Sequence, residues 1–247
     1  MSYVALKHLL ADLTIEAVRS PADAGWPAVT AAYAELAMAA RPMVPWSDAL
    51  TRAAAIGAPR RWTPTDADIR HLIDRGLFSL HETTLIALPD RFLPHFAYFR
   101  RHAPRVLNAI TELRRPTVAH EISDDVRIGA ALFNAGLFFE CHEWCERLWK
   151  AAGGEEKEFF HGIVQAAAAF YHHEKGNAHG SRTLLRKGRQ RLTAYPAQYL
   201  GVDLARFGED LSQWAAHFDG APRPEVHPRI AFSLGGTHEK VKGAPRG

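Results

Sequence analysis

The chain has few cysteines. Only Cys141 and Cys145 occur among its 247 residues, and they lie four positions apart. This spacing matches neither a disulfide framework nor the Cys-x-x-Cys pair of many zinc sites. Two lone thiols are typical of a protein that stays in a reducing compartment. We therefore expect both side chains to be small, buried core residues on one helix.

Long apolar runs are also missing. No segment has the roughly 18 consecutive apolar residues that a membrane-spanning helix needs. The first residues lack the basic patch, the apolar run and the small-residue cleavage site of a secretory signal peptide. We therefore expect a cytoplasmic protein with no membrane partner.

Charge of one sign is not concentrated in any long run. Lys and Arg exceed Asp and Glu by three, 30 against 27. The one basic stretch, from Arg182 to Arg191, follows the helix start predicted at Asn177, where exposed backbone N–H groups can hold a phosphate. No set of aromatic residues for base stacking accompanies it. A solvated helix face is therefore the favoured interpretation, and a nucleic-acid partner is not expected.

The fold class follows from the spacing of the apolar residues. Counted with alanine and cysteine among them, apolar residues make up 47% of the chain. They recur at helical intervals and predict an all-α fold, a multi-helical bundle of antiparallel helix hairpins. No strands are predicted, although residues 230–234 are candidates for an extended stretch against the bundle. The predicted helices cover residues 3–18, 26–40, 47–57, 63–76, 77–87, 91–102, 105–114, 126–135, 138–152, 155–175, 178–195 and 203–218.

Three regions are predicted along the chain. Residues 115–123 have no clear period and contain Pro116, which marks a boundary between an N-terminal helical region (1–120) and a helical domain (121–220). Residues 221–247 form an extended tail, predicted to be partly disordered because its end is rich in glycine, polar and basic residues. The stretch Gly76–Glu82 resembles the stretch Gly136–Glu143, and chance is favoured over a true repeat.

The stretch Asn134–Trp149 carries the side chains most suited to chemistry. On a helix, Cys141 and Cys145 belong to the apolar arc that faces the core. His142 and Glu146, four residues apart, lie one above the other at the edge of that arc, and Glu143 lies just beyond them.

The following helix is almost wholly apolar, apart from one polar stripe of His161, Gln165 and His172. A buried polar group without a partner costs about 1–3 kcal/mol, so this stripe needs polar groups, water or a ligand opposite it. An antiparallel hairpin that turns at Gly153 places the stripe next to His142 and Glu146. The sequence therefore predicts a polar pocket between these two helices.

Several spaced motifs in this region resemble those of the domain-of-unknown-function family 309, a family of bacterial and archaeal helical proteins. The motifs are Phe133-Asn134-Ala135-Gly136, His142-x-x-x-Glu146-x-x-Trp149, Gly162-Ile163-Val164-Gln165-Ala166-Ala167-Ala168 and Gly176-Asn177-x-x-Gly180. The resemblance covers about residues 124–195. It implies an all-helical bundle and supplies no reaction. It directs attention to His142, Glu143, Glu146, Trp149, Gln165, His172 and Asn177 as candidate ligand-binding residues.

One hypothesis for these residues is a divalent metal site. His142, Glu146 and His172 are ligand types suited to zinc, iron or manganese, and helical bundles build such sites from facing helices. Glu143 is then a candidate base for hydrolase-like chemistry. The pattern His-Glu-x-x-Glu differs, however, from the His-Glu-x-x-His of zinc proteases.

Two alternatives remain open at this point. A metal-free pocket can use the His–Glu pair for acid–base chemistry or for binding a small polar ligand, with Trp149 and Phe139 as its walls. In a non-enzymatic helical scaffold or interaction module, His142 bonds Glu146 or Gln165 and only fixes the register of two core helices.

Overall fold

The computed structural model describes residues 2–115 and 122–232, and ten α-helices account for most of them. This confirms the predicted all-α, multi-helical fold. The helices are α1 (Ser2–Arg19), α2 (Trp26–Leu36), α3 (Trp46–Gly57), α4 (Asp66–Asp74), α5 (Phe96–Leu113), α6 (Asp124–Asn134), α7 (Phe138–Ala151), α8 (Gly154–Glu174), α9 (Ala178–Leu192) and α10 (Leu204–Phe218). Two short 3-10 helices cover Ala58–Arg60 and Asp90–His95.

Five short strands form two small antiparallel sheets, which the sequence did not predict. The strands β1 (Val44–Pro45), β2 (Ser79–His81) and β3 (Leu85–Ala87) pair in the order β1-β3-β2. The strands β4 (Gln198–Tyr199) and β5 (Val202–Asp203) pair with each other.

The predicted helix over residues 77–87 is wrong, because β2 and β3 form a hairpin there. Glu82 and Thr83 at its turn have φ angles of +48° and +62°, in the left-handed region that a right-handed helix cannot contain. The β-branched residues Thr84 and Ile86 after the turn favour an extended chain.

The predicted helix break at Pro104 is also wrong. Helix α5 continues through this proline without interruption. An internal proline costs roughly 3 kcal/mol, because it lacks an N–H and crowds the preceding turn. The buried side chains of Phe99, Val106 and Ile110 on both sides of Pro104 anchor the helix in the core and offset this cost.

The similarity between Gly76–Glu82 and Gly136–Glu143 does not extend to the structure. Both glycines have a left-handed conformation after a helix, with φ angles of +77° and +75°. The chain after Gly136 enters α7, however, whereas the chain after Gly76 enters the β2–β3 hairpin.

Helix α8 lies between α7 and α9 and packs along both. Helices α8 and α9 approach closely where Gly162 faces Gly188, since a methyl group at Gly188 would lie 2.9 Å from the Gly162 carbonyl oxygen. Such an approach requires a residue without a side chain. This three-helix layer carries most of the predicted site residues.

The last described residues are fixed to the end of α6. The Asn134 side chain accepts a hydrogen bond from the Ile230 N–H at 2.8 Å and donates one to the Ile230 carbonyl at 2.9 Å. The Asp203 N–H also donates to the Ala231 carbonyl at 2.9 Å. The chain therefore lies extended against α6 and β5 up to Phe232. Residues 233–234, the tail after Gly235 and most of the predicted boundary at 115–123 lie outside the described residues.

Both cysteines are free and buried. The thiol of Cys141 donates to the Gly129 carbonyl at 3.4 Å. The hydrogen bond to Cys145, followed by burial, raises the pKa of Cys141 well above its ordinary value. Among the described helices, none is long and apolar enough to cross a membrane.

Candidate functional site

Helix α7 presents His142, Glu143 and Glu146 on its outer side. The left-handed turn at Gly136 starts the helix at Phe138, and residues 142 and 146 then occupy successive turns of one face. The side chains are 30%, 45% and 29% exposed, respectively. His142 Nδ1 lies 3.2 Å from a Glu143 carboxylate oxygen. One nitrogen or oxygen atom from each of the three residues lies within 4.8 Å of the others.

The polar face of α7 lies beside α8, as the hairpin prediction requires. The Trp149 ring stacks on the His161 ring, with their centroids 4.3 Å apart. At the other end, the Phe139 and Tyr171 rings are 5.6 Å apart. Because these two contacts bracket His142 and Glu146 along the hairpin, both residues lie alongside the middle of α8, at the level of Gln165.

Gln165 is bound by neighbours on α8 and α9 and not by His142. Its side chain lies 3.1 Å from His161 Nε2 and accepts a hydrogen bond from Arg191 at 3.4 Å. Arg191 also donates to His161 Nδ1 at 3.2 Å. Burial, reinforced by the positive charge of Arg191, lowers the pKa of His161. The sequence pattern placed Arg191 only on a charged helix face and did not indicate this role.

His172 lies at the far end of α8. It bonds the Asn177 amide at 3.0 Å, while the Asn177 carbonyl oxygen caps α9 by accepting the Gly180 N–H at 2.9 Å. Among the described residues, no hydrogen bond joins His172 to His142 or Glu146. The structure therefore does not gather the predicted set His142, Glu146 and His172 into one cluster, because His172 lies past the Phe139–Tyr171 contact. Glu143 replaces His172 as the third member.

One of the three α7 side chains, Glu143, borders a cavity. This cavity of about 620 Å³ lies between α1 and α7 and is also lined by His8 and Arg147. His142, Glu146, Trp149, Gln165 and His172 do not line it, nor do they line four further cavities of the described residues. The polar pocket predicted between the two helices stays a prediction. The Trp149 indole N–H is buried there and has no partner among the described residues. It is a donor available to a ligand that reaches this face.

A second polar cluster, which was not predicted from the sequence, is formed by His102 of α5 and Glu140 of α7. Their side chains lie 2.8 Å apart and are only 5% and 2% exposed. They line a cavity of about 290 Å³ between α5, α7 and α8. One signal was present in the sequence: His102 falls within the apolar stripe of α5, three residues after Phe99 and four before Val106.

Comparison with protein families identifies one segment of the chain. Residues 126–184 match the model of a family described as a domain of unknown function (DUF309). No curated protein matches the chain. The matched segment runs from α6 into α9 and includes every site residue predicted from the motifs, whereas His102 lies outside it. The match supports the resemblance to family 309 over residues 126–184, hereafter the DUF309 segment.

Proposed function

We propose that the outer face of α7 binds a divalent metal ion through His142, Glu143 and Glu146. The observation that supports this proposal is the close approach of one ligand atom from each residue, all within 4.8 Å of one another. Imidazole nitrogen and carboxylate oxygen are ligands common to zinc, iron and manganese sites.

The three side chains fit an ion after small rotations. Two atoms bound at about 2.1 Å to one ion are at most about 4.2 Å apart, so a spread of 4.8 Å needs to close only slightly. The side chains are partly exposed and therefore free to rotate. Lys150, whose Nζ lies 3.2 Å from Glu146, has to release that carboxylate.

With three protein residues bound to it, the ion keeps open coordination positions for a small polar molecule, as in catalytic metal sites. When bound, the ion supplies Lewis acidity to an oxygen atom of that molecule. Trp149 and Gln165 flank the position, whereas His172 and Asn177 contact only a ligand that extends to the far end of α8. Because Glu143 is one of the three ligands in this arrangement, its carboxylate is not also free to act as the base that the sequence suggested for hydrolase-like chemistry.

A second candidate is a non-enzymatic helical scaffold or interaction module. The partners that Trp149, Gln165 and His172 already have within the chain favour it. These contacts join α7, α8 and α9 and fix their register. In that case the His-x-x-x-Glu-x-x-Trp motif is structural.

The proposal also includes a cytoplasmic location. The free thiols of Cys141 and Cys145 support it, since reduced cysteines persist in that compartment.

Metal titration of the full chain tests the two candidates. The protein is stripped with EDTA, dialysed, and titrated with Zn²⁺ and Mn²⁺ by calorimetry, followed by elemental analysis. We expect about one ion per chain, with affinity at least about tenfold weaker in His142→Ala and in Glu146→Gln, because each loses a direct ligand. His179→Ala, an exposed histidine on α9, is the matched control and retains binding. An absence of binding, or equal weakening in the control, contradicts the metal site and leaves the scaffold.

A further inference from the structure

The cavity between α5, α7 and α8 is separate from the metal-binding face proposed for α7. Its volume of about 290 Å³ is close to the lower end of the range for small-molecule sites, which is roughly 300–1,000 Å³. Its lining combines aromatic rings with charged side chains, among them Tyr98, Arg101, Arg105, Tyr171, Lys175 and Arg223.

The charged groups of this cavity are mostly cations. Four cations line it, against the two carboxylates of Glu140 and Glu174. Glu140 is bonded to His102, and Glu174 is bonded to Arg105 at 2.7 Å. Within residues 2–115 and 122–232, Arg101, Lys175 and Arg223 thus have no carboxylate partner. A concave surface with an excess of positive charge attracts anions.

Three tyrosine rings hold Lys175 in place at this cavity. Its ammonium lies 4.4 Å from the ring centre of Tyr3, 5.4 Å from that of Tyr98 and 5.5 Å from that of Tyr171. It also contacts the Tyr3 hydroxyl. Such contacts stabilise a cation over an aromatic face, so this charge is positioned and not a freely moving surface lysine.

The same tyrosines are hydrogen-bond donors. Burial raises the pKa of Tyr3, Tyr98 and Tyr171 above the ordinary value of a phenol. Their hydroxyls therefore stay protonated at neutral pH and beyond it. The Tyr171 hydroxyl already donates to Tyr3, which leaves the Tyr98 hydroxyl to donate to an oxygen acceptor.

A further polar group in the cavity wall lacks a partner. His102 bonds Glu140 through Nε2, but its Nδ1 is buried and has no hydrogen-bond partner among the described residues. A buried polar atom left in this state costs about 1–3 kcal/mol.

We propose that this cavity binds a small oxyanion, a molecule with a carboxylate or phosphate group. Arg101, Lys175 and Arg223 neutralise its charge, and the hydroxyl of Tyr98 donates to its oxygens. Guanidinium groups suit this role because their parallel N–H donors match the two oxygens of such a group. The site joins the N-terminal region to the DUF309 segment, because α5 supplies Arg101 and α7 and α8 supply the opposite wall.

Anion titration of the full chain tests the proposal. Inorganic phosphate and acetate are titrated separately by calorimetry, in EDTA and at an ionic strength held constant with sodium chloride. We expect saturable binding of at least one of them, and the stronger one identifies the recognised group. Arg101→Gln and Arg223→Gln should each weaken binding about tenfold, as expected for the loss of one charge-assisted hydrogen bond.

Arg100→Gln is the matched control. Arg100 is exposed, lies next to Arg101 on α5 and does not line the cavity, so this variant keeps wild-type affinity. Lack of saturation by either anion, or equal weakening in Arg100→Gln and Arg101→Gln, overturns the proposal. The EDTA separates this result from metal binding on α7, so either proposal can fail while the other stands.

Discussion

His102 and Glu140 form a hydrogen bond of 2.8 Å that is almost wholly removed from solvent and joins α5 to α7. The two residues are 38 positions apart, on opposite sides of residues 116–121. Burying a charged group costs several kcal/mol unless a partner compensates for it. This pair therefore stabilises the contact between the N-terminal region and the DUF309 segment only while both residues are present.

We expect a large loss of stability when one member of this pair is removed. His102→Leu leaves the Glu140 carboxylate buried without a partner and should lower the free energy of unfolding by about 3–5 kcal/mol. The double variant His102→Leu/Glu140→Leu should be more stable than His102→Leu alone, because it buries no unpaired group. Urea unfolding of the wild type, His102→Leu, Glu140→Leu and the double variant measures this. A double variant that loses as much as the two single variants combined would show that the residues are not coupled.

The contact between Gly162 and Gly188 yields a second prediction. A methyl group at Gly188 would meet the backbone of α8, 2.9 Å from the Gly162 oxygen and 3.1 Å from the Ala166 nitrogen. Gly188→Ala should therefore lower the free energy of unfolding by about 1–3 kcal/mol through overpacking. Gly208→Ala is the control, since no atom lies within 4 Å of a methyl group there and α10 is a regular helix. It should stabilise by about 0.5–1 kcal/mol. Thermal unfolding that ranks the two variants in the opposite order contradicts the close packing of α8 and α9.

Stability should fall in mild acid, partly through His161. Burial and the charge of Arg191 lower the pKa of His161 in the folded state, below its value of about 6.5 in an unfolded chain. The unfolded chain then binds the proton more tightly. The stability associated with neutral His161 is complete above about pH 6.5 and is lost as the pH falls through the folded-state pKa.

The change in melting temperature between pH 7 and pH 5 tests whether stability falls as the pH falls. His161→Gln should show a smaller fall than the wild type. Burial also lowers the pKa of His173 and His227, so part of the fall should remain. His179→Gln, at an exposed position on α9, should show the same fall in melting temperature as the wild type. An unchanged fall in His161→Gln contradicts the prediction.

Much of the helical frame could be predicted from local signals. Ser123 accepts the Val126 N–H, Asn177 accepts the Gly180 N–H and Asp203 accepts the Arg206 N–H, so these residues cap the helices that were predicted over residues 126–135, 178–195 and 203–218. Gly176, with φ of +71°, ends α8 as expected. These signals are local, because a cap needs only its own turn of helix.

The β2–β3 hairpin and the passage of α5 through Pro104 could not be predicted from the same signals. Both depend on contacts with distant parts of the chain: β3 pairs with β1, about 40 residues earlier, and α5 is anchored by its buried face. Periodicity over a few turns does not report such contacts.

The candidate site divides in the same way. The spacing of His142 and Glu146 was enough to place them on one face of α7, because only the helical period decides it. The partners of Gln165 and His172 were not foreseen, since the position of Arg191 depends on how α9 crosses α8. His102 was missed because its partner Glu140 lies on another helix, and no local pattern connects the two.

The double hydrogen bond between Asn134 and Ile230 affects how the DUF309 segment can be studied. Asn134 lies inside the matched residues and its partner lies 96 positions later, while Glu140 depends on a histidine that precedes the segment. A fragment of residues 126–184 would leave the side chains of Asn134 and Glu140 without their hydrogen-bond partners. The DUF309 segment of this chain is thus not expected to fold in isolation, and its biochemistry should be measured on the full 247-residue chain.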